Sequence, residues 1–314
     1  MRGLVVADGG LTLSESLPEP IAGTGQALVE VRAAGLNPTD ADIASGAIDD
    51  LLDPRLRSSK VRTGLEFAGV VVGGGGSLQV GQSVFGYPEV VGPQKAHQEL
   101  LAVDEESVAP MPANVEFDAA ASLPLAAVTV VVLHRDVAPV EPRARVLVIG
   151  AAGGVGLVHM QAAKNVYGAE VTAIAGPGNE AFLASMGADR FVDYRQTRVG
   201  DLTDRFDVIV DWTTKYRFAE VEHLLAADGR FVPADPFKNA DDLRAGSESA
   251  ERTGRLFAAC GTRAELDVVR EWVESRRLRP VVDRVFDLDD HARALERLGT
   301  RAKRGRVVLR VASG

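Results

Sequence analysis

The sequence predicts an α/β protein in which a β-rich domain is interrupted by a doubly wound domain with a parallel sheet. Three observations carry that expectation. Residues 1–117 hold short apolar or alternating runs separated by Gly, Pro, Asp and Asn; residues 118–262 alternate strand-like and helical stretches; and residues 263–314 return to the first rhythm. Period-2 runs between turn residues read as sheet, whereas strands alternating with helices imply a parallel sheet covered on both faces. At 314 residues the chain is long enough for two such domains.

In the first block the strand-like runs are GLVVA, LTLSESL, ALVEVRA, EFAGVVV, SVFGYP and HQELLAV. After the third, Asn37, Pro38, Thr39 and Asp40 make a polar turn ahead of a helix-like segment. The glycine run at 73–76 reads as a turn, since it carries no side-chain chemistry. In the second block RVLVIG (145–150) is apolar and β-branched, as a strand buried on both faces should be. Next come the helix LVHMQAAKNVYG, the strand AEVTAIA, a helix over 180–186 and the strands DRFVDY and FDVIVDW. A helix over 218–226 then leads to the strand GRFVPA. The tail adds a helix over 264–276, the segment RPVVDRVFDLDD, another helix and the strand GRVVLRV. Its basic cluster (Arg301, Lys303, Arg304, Arg306) reads as a solvated face.

A net charge of −9 argues against a nucleic-acid partner, which needs a basic surface. The one cysteine, Cys260, allows neither an intrachain disulfide nor a Cys-rich zinc cluster, and reads as a small packing residue. The N-terminus MRGLVVADGG lacks the apolar stretch of a signal peptide, and no segment approaches a membrane span. The expected compartment is the cytoplasm.

The most informative motif is VLVIGAAGGVGLVHMQAAK, with Gly150, Gly153 and Gly156 directly after a strand and before a helix. The first glycine permits a tight turn, the second lets phosphate approach backbone N–H groups, and the third lets helix and strand pack closely. The helix N-terminus favours a pyrophosphate. A Rossmann dinucleotide site is the expectation. The overlapping GxxxGxG spacing (Gly150, Gly154, Gly156) would call for a YxxxK pair, which none of the four tyrosines provides. An NAD site usually carries Asp or Glu at the end of the second strand. Here that end reads Ala175-Gly176-Pro177-Gly178-Asn179, so the expected cofactor is NADPH in preference to NADH, although the loop itself brings no Arg or Lys.

With these segments together, the chain resembles the medium-chain dehydrogenase/reductase superfamily, in its zinc-free quinone oxidoreductase (zeta-crystallin-like) branch. The resemblance rests on AAGLNPTD, GLEFAGVV, VGQSVFGY, AASLPLAAVT, GAAGGVG, MGADRFVDYR and RPVVDRVFDL…RGRVVL, and runs over essentially the whole chain. It implies a GroES-like catalytic domain (1–117 plus 263–314), a Rossmann NADP(H)-binding domain (118–262) and a cleft between them. It implies Gly153, Gly154, Val155 and Gly156 on the pyrophosphate, Asn179 and Tyr194 at the adenosine phosphate with Arg301 joining from the tail, and Asn37 and Thr129 near the nicotinamide. A homodimer is implied as well. The chain departs from the family pattern at Ile48 and Asp49, where many relatives carry tyrosine. It departs again at Trp212-Thr213-Thr214-Lys215, where a small glycine pair is usual, and in the loop AGPGN.

Zinc-dependent relatives place cysteine where this chain has Asn37 and histidine where it has Leu65. Catalytic zinc takes three ligands of the Cys, His or carboxylate kind. No metal is expected, and the five scattered histidines read as surface or packing residues. Without a Lewis acid to hold an alkoxide, the expected reaction is reduction of an activated acceptor: hydride to a quinone or to the β-carbon of an α,β-unsaturated carbonyl. Asn37 is the expected oxyanion donor or nicotinamide-positioning residue, with simple turn chemistry as its alternative. Tyr87 is a second candidate donor, and Asp40 reads as structural. Two other functions share these motifs. One is an enoyl reductase of special-metabolite or polyketide type. The other is a non-catalytic nucleotide-binding structural or regulatory protein, to which the departures at Ile48 and Trp212 point.

Overall fold

The computed structural model describes residues 1–74, 76–88, 90–234, 252–253 and 261–312; Cys260 lies outside them. The first block supplies β1 (Gly3–Ala7), β2 (Gly10–Ser14), β3 (Gln26–Leu36), β4 (Phe67–Gly74), β5 (Ser83–Gly86), β6 (Leu100–Asp104) and β7 (Val108–Pro110). The second supplies β8 (Arg145–Ile149), β9 (Glu170–Ala175), β10 (Arg190–Asp193), β11 (Phe206–Asp211) and β12 (Leu225–Pro233), and the tail β13 (Val282–Asp287) and β14 (Arg306–Arg310). The helices are α1 (Pro38–Ser45), α2 (Pro54–Ser58), α3 (Phe117–Ala120), α4 (Pro124–Val132), α5 (Gly154–Asn165), α6 (Glu180–Ser185), α7 (Phe218–Val221), α8 (Arg263–Glu274) and α9 (His291–Gly299).

The chain folds as two compact units, Met1–Val128 with Ala259–Glu274 and Pro280–Gly314, and Thr129–Ala258 with Ser275–Arg279. In the first, a seven-stranded sheet runs β13-β14-β3-β4-β5-β7, with β6 also on β3. The long β3 is shared along one edge: Gln26–Glu30 pairs with β6 and Ala33–Leu36 with β14, both antiparallel. Its alternating side chains Ala27, Val29 and Val31 enter a core with Phe67, Val84, Leu101, Val307 and Leu309. Each Val, Leu or Phe among them contributes roughly 1.5–3 kcal/mol when fully removed from water. The tail therefore completes the first sheet. Gly73 and Gly74, expected in a turn, instead end β4 by pairing with β3.

The second unit is a five-stranded parallel sheet in the order β10-β9-β8-β11-β12. From β8 the chain runs outward through β9 and β10, then returns to place β11 on the other side of β8. The carboxyl ends of β8 and β11 therefore flank the switch point where ligands bind in open α/β sheets.

Three expectations shift. The unit boundary falls at 128/129 rather than 117/118, because α3 packs on β3, β4, β13 and β14. Residues 275–279 join the second unit, where the Gln161 carboxamide bonds both ways to the Arg279 backbone, accepting from its N–H (3.0 Å) and donating to its carbonyl (3.1 Å). The helix expected over 218–226 stops at Val221, since Leu225 is taken up by the β11–β12 ladder opposite Phe206. In addition, the helical run Phe117–Val137 is long and apolar enough to cross a membrane, contrary to the sequence expectation. Its apolar residues serve packing, since 67% of its most apolar window is buried inside the protein.

Candidate functional site

Strand register assembles a buried polar cluster at the end of β3. Val307 lies opposite Leu36 and Phe67 opposite Ala34, so the residues just outside those pairs, Arg306, Asn37 and Glu66, converge. Arg306 Nη2 donates to Asn37 Oδ1 (2.6 Å) and forms an ion pair with Glu66. Asn37 Nδ2 donates to Glu66 Oε1 (3.0 Å), and Glu66 Oε2 accepts the Leu125 N–H (2.9 Å). Asp40 accepts the N–H groups of Asn37 and Gly64, both at 2.8 Å. All four side chains are buried, and burial pulls the Arg306 guanidinium down to about 10 against the opposing pull of Asp40. Beside them, buried His97 meets the Thr63 hydroxyl through Nδ1 (2.9 Å) and the Gly35 carbonyl through Nε2 (3.2 Å). A carbonyl only accepts, so the proton sits on Nε2 and Nδ1 accepts from the hydroxyl. Burial holds His97 below its ordinary value, hence neutral.

Arg306 is thus no solvated tail residue. It is 6% exposed and tied to Asn37. Asn37, the expected donor, has its oxygen and one N–H bonded inside the unit and keeps only its second Nδ2 hydrogen. Asp40 is structural, as expected. Tyr87 comes directly after β5 and is buried, with Gly261 so close that a Cβ there would lie 2.7 Å from the Tyr87 Cβ. Zinc does not suit this donor set. Asn37 offers a neutral, already bonded amide, Leu65 is apolar and buried, and the Glu66 oxygens are engaged. Among the described residues no three His, Cys, Asp or Glu gather as ligands.

The second unit carries the nucleotide end. Gly150 turns with φ of 84° after β8, and its bare Cα faces the Thr213 methyl; a Cβ there would lie 2.8 Å from it. Gly153 caps α5, and the N–H groups of Gly154, Val155 and Gly156 open its first turn, where helix geometry supplies no intrahelical acceptor. A Cβ on Gly156 would collide with the Gly150 carbonyl, so only glycine lets helix and turn approach this closely. This cradle fits a pyrophosphate. Asn179 precedes α6 and donates to the Gly176 carbonyl (3.0 Å), while the Tyr194 ring packs beside Gly176. Thr129 is half-buried on α4, and Arg301 is exposed in the first unit, in the turn after α9.

Sequence reasoning missed the organisation of the turn after β11. Asp211 is fully buried, and its Oδ1 accepts the Thr213 N–H (2.8 Å) and hydroxyl (2.5 Å). Its Oδ2 accepts the N–H groups of Lys215 (2.8 Å) and Tyr216 (2.9 Å). One carboxylate therefore fixes the turn Trp212–Tyr216 that departs from the family pattern. The Trp212 indole donates to His159 Nδ1 on α5 (3.1 Å), and His159 lies 4.8 Å, centroid to centroid, from His134 in the π-helical turn Leu133–Val137. His134 Nδ1 meets the Ala138 carbonyl (3.0 Å). These contacts assign both tautomers: His159 is protonated on Nε2, His134 on Nδ1. Burial pushes His134 down to about 4, and burial plus neighbouring His134 pushes His159 well below its ordinary value. An acid ending an apolar strand was the one signal available in the sequence.

Comparison with known proteins finds dehydrogenase families in two stretches of the chain. Residues 23–113 match the alcohol dehydrogenase GroES-like domain family, and residues 186–309 the zinc-binding dehydrogenase family. The chain is 30% identical over 317 residues to 2-methylene-furan-3-one reductase of Solanum lycopersicum, covering 95% of this chain and 75% of that one. It is also 30% identical over 328 residues to the chloroplastic NADPH-dependent alkenal/one oxidoreductase of Arabidopsis thaliana, covering 98% and 79%. Among solved structures, the quinone oxidoreductase from Coxiella burnetii superposes with a TM-score of 0.87 at 24% identity over 99% of each chain, a likeness that speaks for the fold. Relatives aligned over nearly the whole of this chain and the strand-turn-helix cradle at Gly150–Gly156 agree: the chain is an oxidoreductase of the medium-chain dehydrogenase/reductase superfamily.

Proposed function

We propose that the protein is a zinc-independent, NADPH-dependent reductase that transfers hydride to a quinone or an α,β-unsaturated carbonyl. The observation that carries this reading is the donor set at the end of β3. Where a zinc-dependent relative needs a soft ligand, Asn37 is neutral and already bonded to Glu66 and Arg306. Such a set cannot hold the cation that alcohol oxidation uses to stabilise an alkoxide. The names of the two relatives, both reductases or oxidoreductases of unsaturated ketones or aldehydes, support the same acceptor class.

NADPH, when bound, supplies the hydride. The chain's part is binding and charge stabilisation. The N–H groups of Gly154, Val155 and Gly156 take the pyrophosphate, Asn179 and Tyr194 the adenosine phosphate, and Thr129 the nicotinamide side. Asn37 offers its remaining Nδ2 hydrogen to the oxygen that becomes negative as hydride arrives, in an orientation fixed by Arg306 and Glu66. Tyr87 is the second candidate donor. An enolate so formed takes its proton from water. The reading includes a cytoplasmic homodimer, which light scattering checks; a monomeric mass overturns that element.

The test monitors oxidation of NADPH and NADH with benzoquinone, phenanthrenequinone, cyclohexenone and a crotonyl thioester, with metal analysis of the same sample. Turnover of a quinone or the enone by metal-free protein is expected. Activity that requires stoichiometric zinc would sink the mechanism, and preference for the thioester would move the protein to the enoyl reductases. For Asn37→Ala we expect kcat to fall about 100-fold with NADPH affinity retained, the weaker end of the scale for losing one oxyanion donor. Unchanged turnover would return Asn37 to turn chemistry.

A further inference from the structure

The loop after β9, Ala175 to Asn179, brings no cation to the place where a dinucleotide fold holds the adenosine ribose. The second unit supplies one from elsewhere. Lys215, four residues beyond β11, carries its ammonium to 5.3 Å from the centroid of the Tyr194 ring. That ring packs against Gly176 at the start of the cation-free loop. Lys215 is exposed, and among the described residues its ammonium makes no ion pair; its one partner is the ring.

The placement is built in. Asp211 accepts the N–H groups of Thr213, Lys215 and Tyr216, so the backbone that launches Lys215 is fixed at the carboxyl end of β11. Thr214 takes the left-handed conformation, φ 57°, to let the turn close. On the other side, the Tyr194 N–H donates to the Ala175 carbonyl (3.2 Å), which ties the ring's own backbone to the end of β9. An ammonium over an exposed aromatic face is held weakly. A phosphate dianion offers it a charge-assisted hydrogen bond instead, and lysine serves phosphate as a point charge. The ring therefore keeps the cation near the loop without competing strongly with an anion.

We propose that Lys215 supplies the cation that recognises the 2′-phosphate of NADPH, beside Asn179 and Tyr194, and so sets cofactor preference. This inference rests on the NADPH-dependent reading above. Its substance is a change of origin: the charge comes from the turn after the fourth strand of the sheet, where the chain departs from the family pattern, and not from the loop after the second.

The experiment titrates the full-length protein, Lys215→Met, Lys215→Arg and Arg301→Ala with NADPH, NADH and adenosine 2′,5′-bisphosphate at low and moderate salt. For Lys215→Met we expect a loss of about tenfold or more for NADPH and for the bisphosphate, NADH affinity within about twofold, and a shallower salt dependence, with Lys215→Arg restoring most of the loss. Retained NADH binding shows that the variant is folded. A wild-type preference for NADPH that Lys215→Met leaves intact overturns the proposal, as does a loss confined to Arg301→Ala. Tighter binding of both cofactors by Lys215→Met also overturns it, since the side chain would then be an obstruction. Equal wild-type affinity for NADPH and NADH instead defeats the NADPH reading itself.

Discussion

Each unit buries one polar cluster, and the two solve the same problem differently. In the first unit Glu66 and Arg306 pair with each other and with Asn37, and Asp40 accepts two backbone N–H groups beside them. Among the described residues Arg306 Nε alone of these groups has no partner. In the second unit the rings of His134, His159, Tyr167 and Trp212 meet tilted or edge to face, and among the described residues the Nε2 atoms of both histidines have no partner. The first cluster is held by charge and depends on every member being present. The second is held by neutrality, and a proton threatens it more than a missing contact does. Desolvation explains both: a buried ion costs several kcal/mol unless paired, while a buried imidazole avoids the cost by staying uncharged.

The strongest way to break the contrast is Arg306→Met. It leaves Glu66 buried without its cation and Asn37 Oδ1 without its donor. We expect a loss of about 3–5 kcal/mol in urea unfolding of the first unit, the scale for breaking a buried pair by removing one partner. Adding Glu66→Gln removes the stranded charge while keeping an acceptor for the Leu125 N–H, and should recover a large part of the loss. A single-variant cost below about 1 kcal/mol would mean that the first cluster is not held by charge at all.

Next in size is the proton sensitivity of the second cluster. His134 titrates near 4 when folded, against an ordinary 6.5. Between those values the unfolded chain binds a proton that the folded chain refuses, so stability present above pH 6.5 declines as pH falls and levels off below about 4. The shift corresponds to roughly 3 kcal/mol. His134→Gln should remove the share of the decline that belongs to His134, while the shares of buried His159 and His97 and of the carboxylates remain in both proteins. Parallel stability-against-pH curves for the two proteins would refute the assignment.

How far each cluster was legible in the sequence depends on how its parts are specified. The cradle at Gly150, Gly153 and Gly156 is local: strand, tight turn and helix are consecutive, and the spacing alone encodes their close approach. Asn37 was legible as a position, but its partners were not. Arg306 stands 269 residues away and reaches Asn37 only through the register of β14 on β3. In the sequence it sits among Arg301, Lys303 and Arg304, which look like any solvated basic stretch. His134 and His159 come from different helical segments, and no spacing announces their meeting. The turn Trp212–Tyr216 looked anomalous because its organiser, Asp211, reads as the last residue of an apolar strand.

Trp212→Phe is the smallest and most selective probe of the comparison. The phenyl ring preserves most of the packing against His159 but removes the indole N–H that fixes the histidine's tautomer. Losing one hydrogen bond in a partly buried setting costs about 0.5–1.5 kcal/mol, well below the expected effect of Arg306→Met. The sharper consequence is electronic. With its donor gone, His159 Nδ1 has no reason to remain the acceptor, and a proton moving there leaves Nε2 as a second lone pair facing the cluster. The nitrogen resonances of His159 should report Nε2–H in the parent and a tautomer mixture in Trp212→Phe. The first cluster offers a built-in reference: His97 is held from both sides by Thr63 and Gly35 and should show Nε2–H in both proteins. Were His159 to remain purely Nε2–H in the variant, its tautomer would be set by something other than Trp212, and the neutral cluster would be as tightly determined as the charged one.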